Sequence, residues 1–127
     1  MKLTEAEWLE RLGPERYRIL RRAGTEPPFS GEYWQNDDAG NYLCAGCRTP
    51  LFTSGQKFYS SCGWPAFKEC QERAIDEHVD TTHGMVRTEV TCSTCGGHLG
   101  HVFNDGPPPT GLRYCINSLA IVLVEEG

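Results

Sequence analysis

The chain has 127 residues, 39% of them hydrophobic and 23% charged, with a formal net charge of −5 and seven cysteines. That length fits one domain with a modest core. The acidic balance gives no basis for nucleic-acid binding through a basic surface, and no apolar stretch is long enough to span a bilayer. Seven is an odd number of cysteines, which argues against a fully paired disulfide framework. The opening Met1-Lys2-Leu3-Thr4-Glu5-Ala6-Glu7 lacks the apolar centre of a secretory signal, so a cytoplasmic location is expected.

Residues 4–23 read as helical, with Thr4 and Glu7 suited to a capping box and Trp8, Leu9 and Leu12 at helical spacing. Gly13-Pro14 breaks the pattern before Tyr17, Ile19 and Leu20 resume it, so two short helices are expected. Residues 24–40 are rich in Pro, Gly, Asp and Asn and read as an irregular arm. Residues 1–40 are expected to pack on a β core formed by the remainder of a single domain, 1–127. Cys44-Ala45-Gly46-Cys47 is a tight turn, followed by the short apolar piece Pro50-Leu51-Phe52. Residues 58–67, which include Cys62-Gly63-Trp64-Pro65, read as an irregular loop. Residues 85–91 alternate as a strand, Cys92 to Cys95 is a second tight turn, and 99–103 is another strand candidate. Residues 105–111 hold three consecutive prolines and must be a loop, and 114–124 end the chain in strand-like, β-branched residues.

Cys44, Cys47, Cys92 and Cys95 form two CxxC pairs. Four thiolates can close a tetrahedral zinc site with Zn–S bonds of about 2.3 Å and no position open to substrate. The long segment between the pairs suggests two hairpin tips of one domain stapled by the metal. A redox CxxC pair would accompany a βαβ pattern, and this chain shows none. Iron in place of zinc stays open.

Cys62, Cys70 and Cys115 remain. On a strand, Arg113, Cys115 and Asn117 share one face. A cation beside a thiol favours the nucleophilic thiolate, although a strand cysteine is also an ordinary core residue. Cys62 lies in a Gly/Pro loop, where it suits a second thiol for Cys115. Cys70 reads as a small buried hydrophobe. His98 and His101 offer imidazoles for proton transfer near neutral pH, and Trp64 could be core or wall an apolar pocket.

With these residues in hand the chain resembles the methionine sulfoxide reductase B family, the R-sulfoxide-specific type. The likeness runs through 21–31 (R-R-A-G-T-E-P-P-F-S-G), 42–47, 62–67 (C-G-W-P-A-F), 87–90 (R-T-E-V), 98–106 (H-L-G-H-V-F-N-D-G) and 109–118 (P-T-G-L-R-Y-C-I-N-S). The resemblance implies a small antiparallel, barrel-like pair of sheets with short N-terminal helices outside, and a structural zinc on Cys44, Cys47, Cys92 and Cys95. It implies Cys115 as nucleophile and Cys62 as resolving thiol. Arg113, Asn117, His98 and His101 would act around them, with Trp64 taking the substrate methyl group and Phe103 and Asp105 completing the substrate site. It further implies oxidised proteins carrying methionine-R-sulfoxide as substrates and thioredoxin as reductant; a monomer is expected. The family commonly has glycine where this chain has Ser61 and serine where it has Ala66, and Cys70 stands as an alternative resolving thiol. Two other readings compete: a zinc-ribbon module that binds a protein partner, and a redox switch using Cys115 and Cys62. The first gives no reason for the Arg113–Asn117 face or the histidine pair, and the second would form the disulfide without consuming sulfoxide.

Overall fold

The structure is a computed structural model, and it describes residues 3–34, 36, 38–58, 62–81 and 84–125. Ser61 lies outside the described residues.

The N-terminal segment forms the two expected short helices, α1 (Glu5–Leu12) and α2 (Pro14–Arg21). Thr4 Oγ1 accepts from the Glu7 backbone N–H at 3.1 Å, and Glu7 Oε1 accepts from the Thr4 N–H at 3.0 Å. This reciprocal box satisfies donors that the first helical turn leaves unpaired. Gly13 takes φ 83°, a left-handed conformation that suits glycine. Pro14 then opens α2 where the N–H it lacks is not needed. Trp8, Ile19 and Leu20 are the buried residues of the pair.

The rest is antiparallel β. The strands are β1 (Gly40–Cys44), β2 (Pro50–Thr53), β3 (Lys57–Phe58), β4 (Ala66–Phe67), β5 (Ile75–Asp80), β6 (Arg87–Cys92), β7 (His98–Phe103), β8 (Arg113–Ile116) and β9 (Ile121–Glu125). One sheet has the order β2-β1-β9 and the other β3-β4-β8-β7-β6-β5. Aromatic side chains join them: Phe52 stacks on Phe67 at 4.2 Å, while Tyr42 meets Phe67 edge-on at 5.1 Å. Tyr114 adds its ring 5.9 Å from Phe52. The inner layer is thus built from rings of both sheets, a large apolar payload for a chain of this size.

Several elements differ from the sequence expectation, and one is the short strand β4, which lies inside the expected loop 58–67 and is fixed there by pairing with β3 and β8. The run 114–124 is two strands in different sheets, because the chain turns through a single 3-10 turn at Ser118–Ala120. β-branched composition shows strand propensity and gives no sign of which sheet each half joins. β5 was not expected at all. Its sequence, I-D-E-H-V-D, is mostly polar and its middle is exposed. It is an edge strand pairing with β6 alone, a place where charge is common and an apolar stripe is not required.

β8 is hydrogen-bonded on both sides, to β4 and to β7. Tyr114 and Ile116 point into the core, and Arg113 and Cys115 take the opposite, half-buried face. Cys115 lies opposite Ala66 on β4 and His101 on β7. Gly100 permits the close approach of β7, because a Cβ there would collide with the Cys115 carbonyl oxygen. Among the described residues no helix is long and apolar enough to cross a membrane.

Candidate active site

Alternation along β8 brings Arg113 and Cys115 together, with Arg113 Nη1 2.7 Å from Cys115 Sγ. The rest of the guanidinium is held in place. Its Nε and Nη2 donate to Asp105 Oδ1 and Oδ2 at 2.8 and 3.0 Å, and its carbon stands 4.5 Å over the Phe103 ring. Asp105 is 62% exposed, so the pair adds little to fold stability. Its two-point grip instead sets the direction of the remaining N–H toward sulfur. The hydrogen bonds from Arg113 hold the Asp105 carboxyl below its usual range, and Asp105 raises Arg113 in turn.

Cys62 Sγ lies 3.2 Å from Cys115 Sγ. The hydrogen bond shared with Cys62, then burial, push the Cys115 thiol above the ordinary cysteine value, and Arg113 pulls the other way. Cys70 is elsewhere. Its sulfur is 3.8 Å from the Tyr114 hydroxyl, a side chain on the core face of β8. Burial raises its pKa, with Tyr114 opposing.

The histidines stand on β7, each on a carboxylate. His98 Nδ1–H donates to Glu89 Oε2 at 2.6 Å, and His101 Nε2–H donates to Asp80 Oδ2 at 2.8 Å. Asp80 also accepts from Arg87 Nη2 at 3.3 Å. His98 is 6% exposed, and burial lowers its pKa against the opposing pull of Glu89. The two rings are 5.7 Å apart.

A cavity of about 290 Å³ opens over Cys115, lined by Trp64, His101, Phe103, Arg113 and Asn117 among others. His98 lines a neighbouring cavity with Asp80, Glu89 and Arg87. Trp64 and Asn117 are both tied to the N-terminal arm. Trp64 Nε1–H donates to the Glu26 carbonyl at 3.0 Å, and Asn117 Oδ1 accepts from the Glu26 N–H at 3.0 Å. Asn117 Nδ2 donates to the Leu99 carbonyl at 3.0 Å. Its amide is thus engaged at both ends with backbone, inside the protein. Unmaking a buried bond of this kind costs about 1–3 kcal/mol, which favours a fixed amide.

Sequence reasoning missed Asp80, Glu89 and Glu26. Asp80 went with the unrecognised strand β5. Glu89 stands in the R-T-E-V segment, and its place opposite His101 on β6 and β7 becomes visible only with the strand register. Glu26 lies in the 21–31 segment, where nothing local signals a contact 91 residues away.

Cys44, Cys47, Cys92 and Cys95 bring their sulfurs within 4.8 Å of one another. Cys44 and Cys95 are 3.7 Å apart, and Cys47 and Cys92 are 3.5 Å apart. Tetrahedral zinc with bonds of about 2.3 Å has S–S edges of about 3.8 Å, so the donor set fits that ion. Hydrogen bonds to Cys92 and Cys95 push Cys44 up, and the same bonding from Cys44 pulls Cys92 down. Such proton sharing is what a divalent cation would replace. The helices close over this cluster: Arg21 donates to the Cys95 carbonyl at 2.9 Å and stands 4.7 Å over the buried Trp8 ring.

Residues 12–125 match the SelR domain family. The chain is 58% identical over 120 residues to the peptide methionine sulfoxide reductase MsrB of Agrobacterium fabrum, covering 94% of this chain and 89% of the relative. It is 60% identical over 119 residues to the protein of that name from Thiobacillus denitrificans, covering 93% and 90%. The Acinetobacter baylyi protein of the same name is 56% identical over 121 residues, covering 94% and 87%. With a family match across nearly its whole length and relatives this similar, the chain belongs to the SelR domain family, that of the peptide methionine sulfoxide reductases MsrB.

Proposed function

We infer that this chain is an enzyme that reduces methionine-R-sulfoxide to methionine, and we propose that two of its own thiols carry the reaction. The observation that carries this reading is the Cys115 sulfur, gripped by Arg113 at 2.7 Å and 3.2 Å from Cys62, at the base of a cavity walled by Trp64 and Phe103. The apolar wall suits the S-methyl group. A cavity of about 290 Å³ suits a methionine sulfoxide side chain carried on an oxidised protein.

Cys115 attacks the sulfoxide sulfur as thiolate. Displacing Cys62 from the Cys115 sulfur removes the largest influence that keeps its proton on and leaves Arg113 to favour the anion. Attack forms a bond between the Cys115 sulfur and the substrate sulfur while the sulfoxide oxygen takes up a proton. His101 is the better-supported donor, since it lines the cavity and its Nε2 is oriented by Asp80. His98 lines the neighbouring cavity, and its burial favours the neutral ring. The hydroxyl then passes to the Cys115 sulfur as the S–S and S–O bonds break; the substrate sulfur keeps the electron pair and leaves as methionine, and Cys115 is left as sulfenic acid. The Cys62 thiol then attacks that sulfur, forming a disulfide and releasing water. A disulfide needs an S–S distance of about 2.05 Å, a short move from the observed separation. Cys70, on the core side of β8, is a poorer candidate for this step. A dithiol partner, which we take to be thioredoxin, reduces the disulfide by exchange and is itself oxidised.

Cys44, Cys47, Cys92 and Cys95 would hold a zinc ion, which supplies folding energy by joining the tip of β1 to the tip of β6. We place the enzyme in the cytoplasm as a monomer.

Three outcomes are expected. Cys62→Ser releases about one methionine per enzyme from R-sulfoxide and then stalls with thioredoxin, while wild type arrested after one turnover yields a Cys62–Cys115 linked peptide by mass spectrometry. Undiminished cycling of the variant would shift the resolving role to Cys70 or to direct reduction. In Cys62→Ala, the pH profile for alkylation of the Cys115 peptide moves to lower pH, because the first cause raising its pKa is gone; an unmoved profile would contradict the pairing. Stripping the metal with a chelator lowers the unfolding temperature and abolishes activity together. Full fold and activity in metal-free protein would refute the structural role.

A further inference from the structure

We propose that Glu26 is a positioning residue that sets the Trp64 wall of the substrate cavity in register with the strand carrying Cys115. This rests on reading Trp64 as the surface that receives the substrate methyl group.

Glu26 is 2% exposed and lies on the irregular arm, far in sequence from the residues that hydrogen-bond to it. Two groups just beyond β8 hold it. Its Oε1 accepts from the Leu119 backbone N–H at 2.9 Å, and its own N–H donates to Asn117 Oδ1 at 3.0 Å. Its carbonyl then accepts the Trp64 indole N–H at 3.0 Å. Asn117 is two residues past Cys115 and is anchored again on Leu99 of β7. A short rigid path therefore runs from β8 through Glu26 to the indole.

One carboxylate oxygen is hydrogen-bonded, and the other, Oε2, is buried without a hydrogen-bond partner among the described residues. Gly31 passes so close that a Cβ there would collide with Glu26 Oε2 and with Ser118 Oγ. Ser118 Oγ in turn accepts from the Tyr33 N–H at 3.3 Å, fixing the arm on the far side. Burying a carboxylate with one oxygen unpartnered is costly, so holding one here gives a fixed geometry at the expense of stability. Glu26 itself does not line the cavity over Cys115, and its influence passes through Trp64. Shortening the side chain by one methylene withdraws the carboxylate from Leu119 N–H and frees the backbone that carries the indole acceptor.

The test is steady-state kinetics on R-methionine sulfoxide for Glu26→Gln, Glu26→Asp and Glu26→Ala, each in wild-type and Trp64→Phe backgrounds. Glu26→Asp raises KM about tenfold, the scale expected when a binding wall shifts by a fraction of an ångström to an ångström. The alkylation rate of Cys115 stays unchanged. Glu26→Gln, which keeps an acceptor for Leu119 N–H, restores KM. In Trp64→Phe, which lacks the indole donor, Glu26→Asp adds no further rise, so the double-mutant cycle shows coupling. A Glu26→Asp enzyme with wild-type KM, or with the same rise in both backgrounds, overturns the proposal while leaving Trp64 as the wall. A Trp64→Phe enzyme with unchanged KM overturns the reading of Trp64 and takes the proposal with it. Glu26→Asp carries the test alone should Glu26→Ala fail to fold.

Discussion

The pairing of β8 on both edges is the constraint on which the site depends. A strand held between β4 and β7 cannot rotate, so the face that Cys115 presents is decided by the burial of Tyr114 and Ile116 on the other. Slipping the register by one residue would exchange the two faces. Gly100 tightens this arrangement by letting β7 come close to the Cys115 carbonyl, and the same register sets His101 opposite Cys115 and Phe103 opposite Arg113. Cysteine, guanidinium, imidazole and ring therefore converge through two neighbouring strands. The loop ahead of β4 brings Cys62 and Trp64 to the third side.

Electrostatics at this centre is a balance between two neighbours of one sulfur. Cys62 and burial keep the Cys115 proton on; Arg113 draws it off. Arg113 can do so from a fixed direction because Asp105 occupies two of its donors and Phe103 supports its plane. In the proposed mechanism the second thiol already stands against the first before any substrate arrives.

Much of this was legible in the sequence where the signal is local. The capping box at Thr4 and Glu7, the break at Gly13-Pro14 and the paired CxxC knuckles are short-range patterns with direct mechanical meaning. The alternation Arg113, Cys115 likewise follows from strand geometry alone. What stayed hidden was long-range or polar. β5 has no apolar stripe, because an edge strand need not bury one, and losing it hid Asp80, the partner of His101. Glu26 looks like any acidic residue in a Pro-rich arm until the turn after β8 is folded against it. The expected alignment of Asn117 with Arg113 and Cys115 omitted that the strand ends at Ile116, after which the amide is drawn into the backbone of Glu26 and Leu99.

The central claim is that Cys115 performs the reduction of one sulfoxide epimer. Turnover of separated R and S methionine sulfoxide with dithiothreitol, by wild type and by Cys115→Ser, tests it most directly. The account predicts turnover of the R epimer only, lost in the variant while its fold is kept. Equal turnover of both epimers, or R-sulfoxide reduction that survives Cys115→Ser, would contradict it.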